Sequence, residues 1–418
     1  MYRLNHLTRV AALGTLALVA SCQTDNAVLG SPSLATGDIF KSYVAIGNSI
    51  TAGVQSGGIN DSTQRQSYAR LLAGSMGTQY HYASLNMPGC VAPIANTQTG
   101  ARVAGASGAA CALRAGASVT DVLNNVAVPS ARVLDPVTPS TVASNPLTTF
   151  ILGGKTQVQR ALDARPTFTS IWIGNNDVLE AGGSGILVPL AGVSAGIVST
   201  QAQFQTSYDA MIKQLTDSMP NLKGVLIGVV QVSGVALLSS GGLIASSPTL
   251  QGGISAAAGV PVVIHPSCTG STSLINVPSF IQAVRAYVVN PADPKGHPPF
   301  LVCAKGQAGF PAIVGDIFVL DAAEQVTLSS AITAYNDYIK TKAQAIGFAY
   351  YDPNPLLAAQ RAAGNIPPFP NLASTSATFG TLFSLDGVHP SAAAHVLIAN
   401  ELITAINAKY STTLKPVQ

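Results

Sequence analysis

Apolar residues fall into short unbroken runs, separated by longer stretches in which they recur every three or four positions. The runs Lys41–Ile46, Thr167–Ile173, Lys223–Val232 and Ala349–Asp352 read as buried strands, and the first two are followed directly by glycine. Helical spacing predicts helices over Gln66–Met76, stopping at Gly77, and over Thr200–Ser218, Ala322–Ile346 and Ser391–Lys409. A short helix is expected at Asp121–Asn124, leading into an apolar Val126–Val128. Apolar strands alternating with helices predict an α/β fold with a central parallel sheet of four or five strands and right-handed crossovers. Three stretches lack a sustained period and are rich in small residues: 78–120, 181–198 and 233–315. They read as insertions, and the last is too long for a simple connector. One enlarged domain over 39–418 accounts for the length better than three small ones.

Composition narrows the class. Of 418 residues, 21 are basic and 18 acidic, so 9% are charged, against about 25% in an average soluble domain. Coiled coils and disordered chains need more charge and fewer apolar residues. With no Lys/Arg cluster to displace counterions, nucleic acid is not an expected partner. The mean hydropathy of +0.36 raises the question of a membrane span. The one strong apolar run, Val10–Ala20, rises only about 16 Å as a helix, against about 30 Å of hydrocarbon. With Arg3 and Arg9 before it and small residues after it, it reads as a secretory signal. Its end, Val19-Ala20-Ser21-Cys22, resembles the lipobox of bacterial lipoproteins. That resemblance implies removal of residues 1–21, lipidation of Cys22, a tether over 22–38 and a lipid anchor to the membrane. Gln23 in place of Asp favours the outer membrane of the cell envelope by the same analogy.

Lipidation uses one of five cysteines and leaves Cys90, Cys111, Cys268 and Cys303. An exported chain oxidises, and four cysteines allow three pairings. Neighbour pairing, Cys90–Cys111 and Cys268–Cys303, is favoured because each pair falls within one insertion; each closure contributes about 3–4 kcal/mol in the chain-entropy account. The rival is a metal site of His265, Cys268, His297 and Cys303, a poorer choice in an oxidising compartment.

Candidate chemistry sits in three short stretches. Gly47-Asn48-Ser49-Ile50 follows the first strand, where sites form in open α/β sheets, and it exposes a serine beside backbone N–H groups. Gly174-Asn175-Asn176-Asp177 follows the second, where an Asn side chain can donate to developing negative charge. Asp386-Gly387-Val388-His389-Pro390 precedes the last helix, and its spacing lets the acid bond one imidazole nitrogen while the other faces a nucleophile. Each has an ordinary explanation alone: a loop, a helix cap, and an Asp–His cap with proline opening the helix. In this order, however, the set resembles the first, third and fifth sequence blocks of the SGNH, or GDSL-type, hydrolases, with Asn48 where Asp is usual.

The resemblance implies a flavodoxin-like three-layer α/β/α fold and a serine esterase or lipase acting through an acyl-enzyme, with no metal or organic cofactor. Ser49 is then the nucleophile, His389 the base and Asp386 its orienting acid. The oxyanion donors are the Ser49 N–H, Asn176 and a backbone N–H of the second block, where Ser130 stands in place of glycine. A positive φ is costly for serine, so Gly89 is the alternative third donor. The ester could be a lipid, an acylated glycan or a small ester. Acyl transfer with the same residues, and a non-catalytic lipoprotein retaining the fold, are the alternatives. Gly192-Val193-Ser194-Ala195-Gly196 fits the G-x-S-x-G elbow, but Pro189 interrupts the run before it. His395, six residues beyond His389, lies about 240° round the helix and reads as surface or packing. His81 has no assigned role.

Overall fold

In the computed structural model, residues 37–106, 111–114, 122–139, 146–289, 298–306 and 317–418 are described. The expected signal, Cys22 and most of the tether lie outside them. Nine strands form among the described residues: β1 Tyr43–Gly47, β2 Phe168–Trp172, β3 Lys223–Ile227, β4 Leu238–Ser240, β5 Val263–Ile264, β6 Leu274–Asn276, β7 Phe300–Leu301, β8 Val319–Leu320 and β9 Ala349–Tyr351. The four apolar runs supply one fully parallel sheet in the order β1-β2-β3-β9. Ile46, Ile171 and Leu226 stand opposite one another across three strands and are completely buried. Such strands are apolar throughout because both faces of the sheet are covered.

Alternate residues feed two cores. Val44, Ile46, Ile171 and Leu226 pack under the helices Gln201–Ser218 and Ala322–Ile346, through Phe204, Met211, Ile332 and Ile339. Tyr43, Phe168, Trp172 and Ile227 face the other way, onto the helices Tyr68–Met76 and Ala392–Tyr410. The result is a three-layer α/β/α arrangement. The long helices start where their caps stand: Thr200 with Gln203, and Asp321 with Glu324, form reciprocal capping boxes.

One expectation needs correction. Residues 122–124 are not helical. The Asn124 side chain donates to the Tyr43 carbonyl and accepts from the His81 N–H, which draws the backbone into the sheet. The stretch then runs parallel beside β1, with Ala45 N–H to Asn124 O at 2.7 Å and Val126 N–H to Ala45 O at 3.0 Å. Counting this stretch as second in chain order gives the order 2-1-3-4-5 of flavodoxin-like sheets. The stretch 233–315, expected as an insertion too long for a simple connector, has elements of its own. It carries the helices Pro248–Ala258 and Val277–Val289 and pairs β5 with β7. With β8 from beyond 315, it also forms the antiparallel sheet β4-β6-β8. Its own core includes Ile254, Ile275, Phe280 and the disulfide Cys268–Cys303. Strands of two or three residues are too short to show a period. The other disulfide joins Cys90 to Cys111, so the favoured pairing holds. Among the described residues no helix is long and apolar enough to cross a membrane.

Phe204 stacks on Tyr335 at 4.0 Å between centroids and is fully buried under the sheet. Phe204→Ala is expected to cost about 3–5 kcal/mol, read as a lowered denaturant midpoint by circular dichroism.

Candidate active site

The sheet places two of the three stretches side by side. β1 ends at Gly47, whose N–H is held by the Gln157 side chain at 3.0 Å. Asn48 then caps a one-turn helix, its Oδ1 accepting from the Ile50 N–H at 3.1 Å. Asn serves as an N-cap as well as Asp does, so the substitution at 48 preserves this turn. Ser49 is its first residue, so its N–H has no carbonyl to bond within the helix. Beyond β2 the chain turns at Gly174 with φ 108°; a side chain there would come within 2.7 Å of the Phe204 ring. This turn delivers Asn175, Asn176 and Asp177 to the same end of the sheet.

The third stretch completes the arrangement. His389 Nε2 lies 2.8 Å from Ser49 Oγ, and Nδ1 lies 2.7 Å from Asp386 Oδ2. With Nδ1–H donating to the carboxylate, Nε2 is left to accept the Ser49 hydroxyl proton. Four further donors surround Asp386: the N–H groups of Val388 at 2.9 Å, His389 at 2.8 Å and Gly57 at 2.6 Å, and Ser384 Oγ at 3.2 Å. Burial opposes its ionisation. The facing imidazole and these donors outweigh burial and hold the carboxyl well below the usual range.

Gly57 and Ser384 were not anticipated from the sequence. Gly57 lies in the Ser56–Gly58 turn, far from Asp386 in sequence, and no motif marks it. Ser56 is bound on both sides to the same loop: its N–H donates to Ser384 Oγ at 2.7 Å and its Oγ accepts from Leu385 N–H at 3.1 Å. The turn is stitched in turn to the disulfide loop, through Ile59 N–H to Val91 O, Cys90 N–H to Ile59 O and Ile94 N–H to Ser56 O. The Cys90–Cys111 insertion therefore supports the acid.

Ser130 does adopt the left-handed conformation, with φ 65°. Its N–H is not used by the turn's own hydrogen bond, which runs from Ala131 N–H to Val128 O at 3.1 Å. The Ala131 carbonyl accepts one Nδ2 hydrogen of Asn176 at 2.9 Å, leaving the other free to point elsewhere. Gly89 packs against Ile59 O and Ala92 in the disulfide loop. Neither Ser130 nor Gly89 lines the cleft, but Ser130 is tied through Ala131 to Asn176, which does. The cleft is open to solvent and is also lined by Ser49 and His389, and among the described residues no Asp, Glu, Lys or Arg lines it. Asn48 Nδ2, Trp172 Nε1 and Asn175 Nδ2 are buried at its floor without partners, and all three are donors.

The remaining candidates fall away. Ser194 sits in a tight hairpin, its hydroxyl engaged with Ser184 Oγ at 2.9 Å and the Gly196 N–H at 3.0 Å, and the next helix opens only at Gln201. Cys268 and Cys303 bond to each other, and His265 Nδ1 pairs with Ser267, so the rival metal set loses its sulfurs; His297 lies outside the described residues. His395 is core, not surface. It is fully buried, accepts the Tyr68 N–H on Nδ1 at 3.1 Å, and burial lowers its pKa to about 3. His81 contributes its backbone carbonyl to Asn124 and Asn125.

The GDSL-like lipase/acylhydrolase family profile matches residues 43–251, half of the chain, and the chain belongs to this family. No curated protein matches significantly. Among solved structures the chain is similar to a catalytic mutant of an acetylxylan esterase from Geobacillus stearothermophilus (10% identity, 92% of this chain and 100% of that one, TM-score 0.38). It is also similar to a putative GDSL-like lipase from Parabacteroides merdae (12%, 87% and 96%, TM-score 0.35) and an extracellular lipase from Streptomyces rimosus (16%, 88% and 99%, TM-score 0.32). At these scores the likeness carries no inference about substrate.

Asp177 binds the two halves of the site: it accepts the Val133 N–H at 2.9 Å and the Ser199 hydroxyl at 2.5 Å. Burial pushes its pKa up to about 6, although both hydrogen bonds pull the other way. The unfolded value is about 3.9, so between these values the folded state binds a proton that the unfolded chain does not. Stability attributable to Asp177 therefore rises as pH falls from 7, by about 1 kcal/mol at pH 5. Denaturation profiles of the wild type and Asp177→Asn should differ by this slope; parallel profiles would refute it.

Proposed function

We propose that the protein is a serine ester hydrolase acting through an acyl-enzyme on Ser49. The observation that carries this is the continuous hydrogen-bond chain Ser49–His389–Asp386, with links of 2.8 and 2.7 Å. As Ser49 Oγ attacks the ester carbonyl carbon, its proton passes to His389 Nε2, and Asp386 stabilises the imidazolium. The carbonyl π electrons move onto oxygen, which the Ser49 N–H and the second Asn176 Nδ2 hydrogen are assigned to hold, with Ser130 acting behind them through the Ala131 carbonyl that orients Asn176. Collapse of the intermediate breaks the bond to the alcohol oxygen, which takes the proton from Nε2 and leaves. Water then attacks the acyl-enzyme and gives its proton to Nε2; as the bond from the acyl carbon to Ser49 Oγ breaks, Oγ takes that proton back and the acid is released, which restores both Ser49 and His389.

Ser130 was the sole feature favouring a non-catalytic reading, and its left-handed turn leaves the neighbouring Ala131 carbonyl in place to orient Asn176. Transfer to an alcohol in place of water uses the same residues, and product analysis with added alcohol separates it from hydrolysis. Ser49→Ala is expected to lower hydrolysis of a nitrophenyl butyrate at least about 10⁴-fold, and a fluorophosphonate should label Ser49. Persistence of hydrolysis in this variant refutes the assignment. Asn176→Ala should cost about 10²–10³ in kcat.

Export as an outer-membrane lipoprotein forms part of the proposal. The two disulfides support an oxidising compartment. Cys22→Ala should move the protein from the membrane fraction to the soluble one on cell fractionation; an unchanged distribution would overturn the anchor.

A further inference from the structure

We infer that the cleft beside Ser49 is an acyl-chain site, built for a hydrocarbon chain of medium to long length, and that the preferred substrates are neutral lipid-like esters instead of acetylated glycans. This rests on the hydrolase reading above.

Two helix faces form the cleft. The helix Asn354–Ala362 presents Leu356, Leu357 and Gln360, spaced i, i+1 and i+4. The closing helix Ala392–Tyr410 presents Ala394, Leu397 and Ile398, spaced i, i+3 and i+4. Both spacings put their members on one face. Leu382 and Phe383 join them. Leu356, Leu357, Leu382, Phe383 and Leu397 are only half-buried, so the fold leaves apolar surface open at the position where a bound chain covers it.

The wall is fixed in place. Asn354 holds one end, its Oδ1 accepting the Gln231 N–H at 2.7 Å and its Nδ2 donating to Val229 O at 3.0 Å. Arg361 holds the other, donating to Gly234 O at 2.8 Å. From Pro353 to Gln360 it extends about 10 Å, several times the length of an acetyl group.

The chemistry of the lining selects against sugars. Among the described residues, the lining away from Ser49, His389 and the three Asn residues carries polar side-chain atoms only on Gln360 and the Trp172 indole, and no charged group. A glycan needs an array of donors and acceptors for its hydroxyls. A hydrocarbon chain needs none.

Trp172 gives a readout independent of catalysis. It is the single tryptophan of the chain and lines the cleft. Decanoate titrated into the full-length protein should produce a saturable change in its fluorescence, with acetate and acetylated xylo-oligosaccharide producing none. With nitrophenyl esters from acetyl to hexanoyl, kcat/KM should rise about fourfold per methylene, the equivalent of about 0.8 kcal/mol. Leu397→Trp should lower the octanoyl-to-acetyl ratio of kcat/KM at least tenfold. If that variant does not fold, Leu356→Gln and the wild-type series decide the question. A flat or acetyl-favouring series, or equal fluorescence responses to acetate and decanoate, overturns the inference. Selective decanoate binding with ester hydrolysis that survives Ser49→Ala leaves the acyl site standing and refutes the hydrolase assignment instead.

Discussion

The arrangement of this site depends on the ionised carboxylate of Asp386. A carboxylate largely removed from water is costly unless donors surround it. Asp386 collects five, from its own loop, from Gly57 and from His389. Each donor belongs to a part of the chain that must then lie in one place: the turn after the Ser49 helix, the loop before the closing helix, and the imidazole between them. The charge also sets the imidazole tautomer, because only an Nδ1–H can face it. Nε2 is left to accept the hydroxyl proton. The disulfide loop over 90–111 belongs to the same construction, since it fixes the turn that carries Gly57.

The site holds a second buried aspartate, and the contrast between the two is informative. Asp177 and Asp386 both accept backbone N–H groups and a serine hydroxyl. Their ionisation nevertheless moves in opposite directions, Asp177 up and Asp386 down. The difference is the imidazole. Asp386 faces a group that can carry positive charge at 2.7 Å. The direct partners of Asp177 are neutral dipoles, and the more distant Arg132 is opposed by Asp135. One aspartate is therefore held in its charged form beside an imidazole. The other works as a structural hub, joining the end of β2 to the stretch that contains Ser130.

Much of this was legible in the sequence, and the reasons are physical. The strands of the main sheet are buried on both faces, so they appear as unbroken apolar runs. The long helices announce their starts through Thr200–Gln203 and Asp321–Glu324. Ser49, Asp386 and His389 stand in short motifs because the turn geometry that presents them is local. What stayed hidden depends on distant partners. Residues 124–128 join the sheet through side-chain bonds of Asn124 that no period encodes. The β4-β6-β8 sheet is made of strands too short to alternate. Ser130 takes a conformation that intrinsic preference opposes, held by a turn whose next carbonyl serves Asn176. The helix Asn354–Ala362, which walls the cleft, opens on prolines flanking Asn354 and has no fully buried face of its own.

The scarcity of charge has a structural counterpart. A chain with long irregular insertions leaves many backbone carbonyls without a ladder partner, and these must still be satisfied. Here arginines do so. Arg102 reaches Ala92 O and Gly57 O, Arg160 reaches Leu152 O, Arg285 reaches Ala257 O and Arg361 reaches Gly234 O. The few cations are used as fixed forks that tie loops down, a task suited to the planar guanidinium. Among the described residues no cation lines the cleft, and neither does any acid. The field at Ser49 is therefore shaped mainly by His389, the carboxylate behind it and the N–H dipoles at the strand ends. In so apolar a setting, each of these acts more strongly than it could in water.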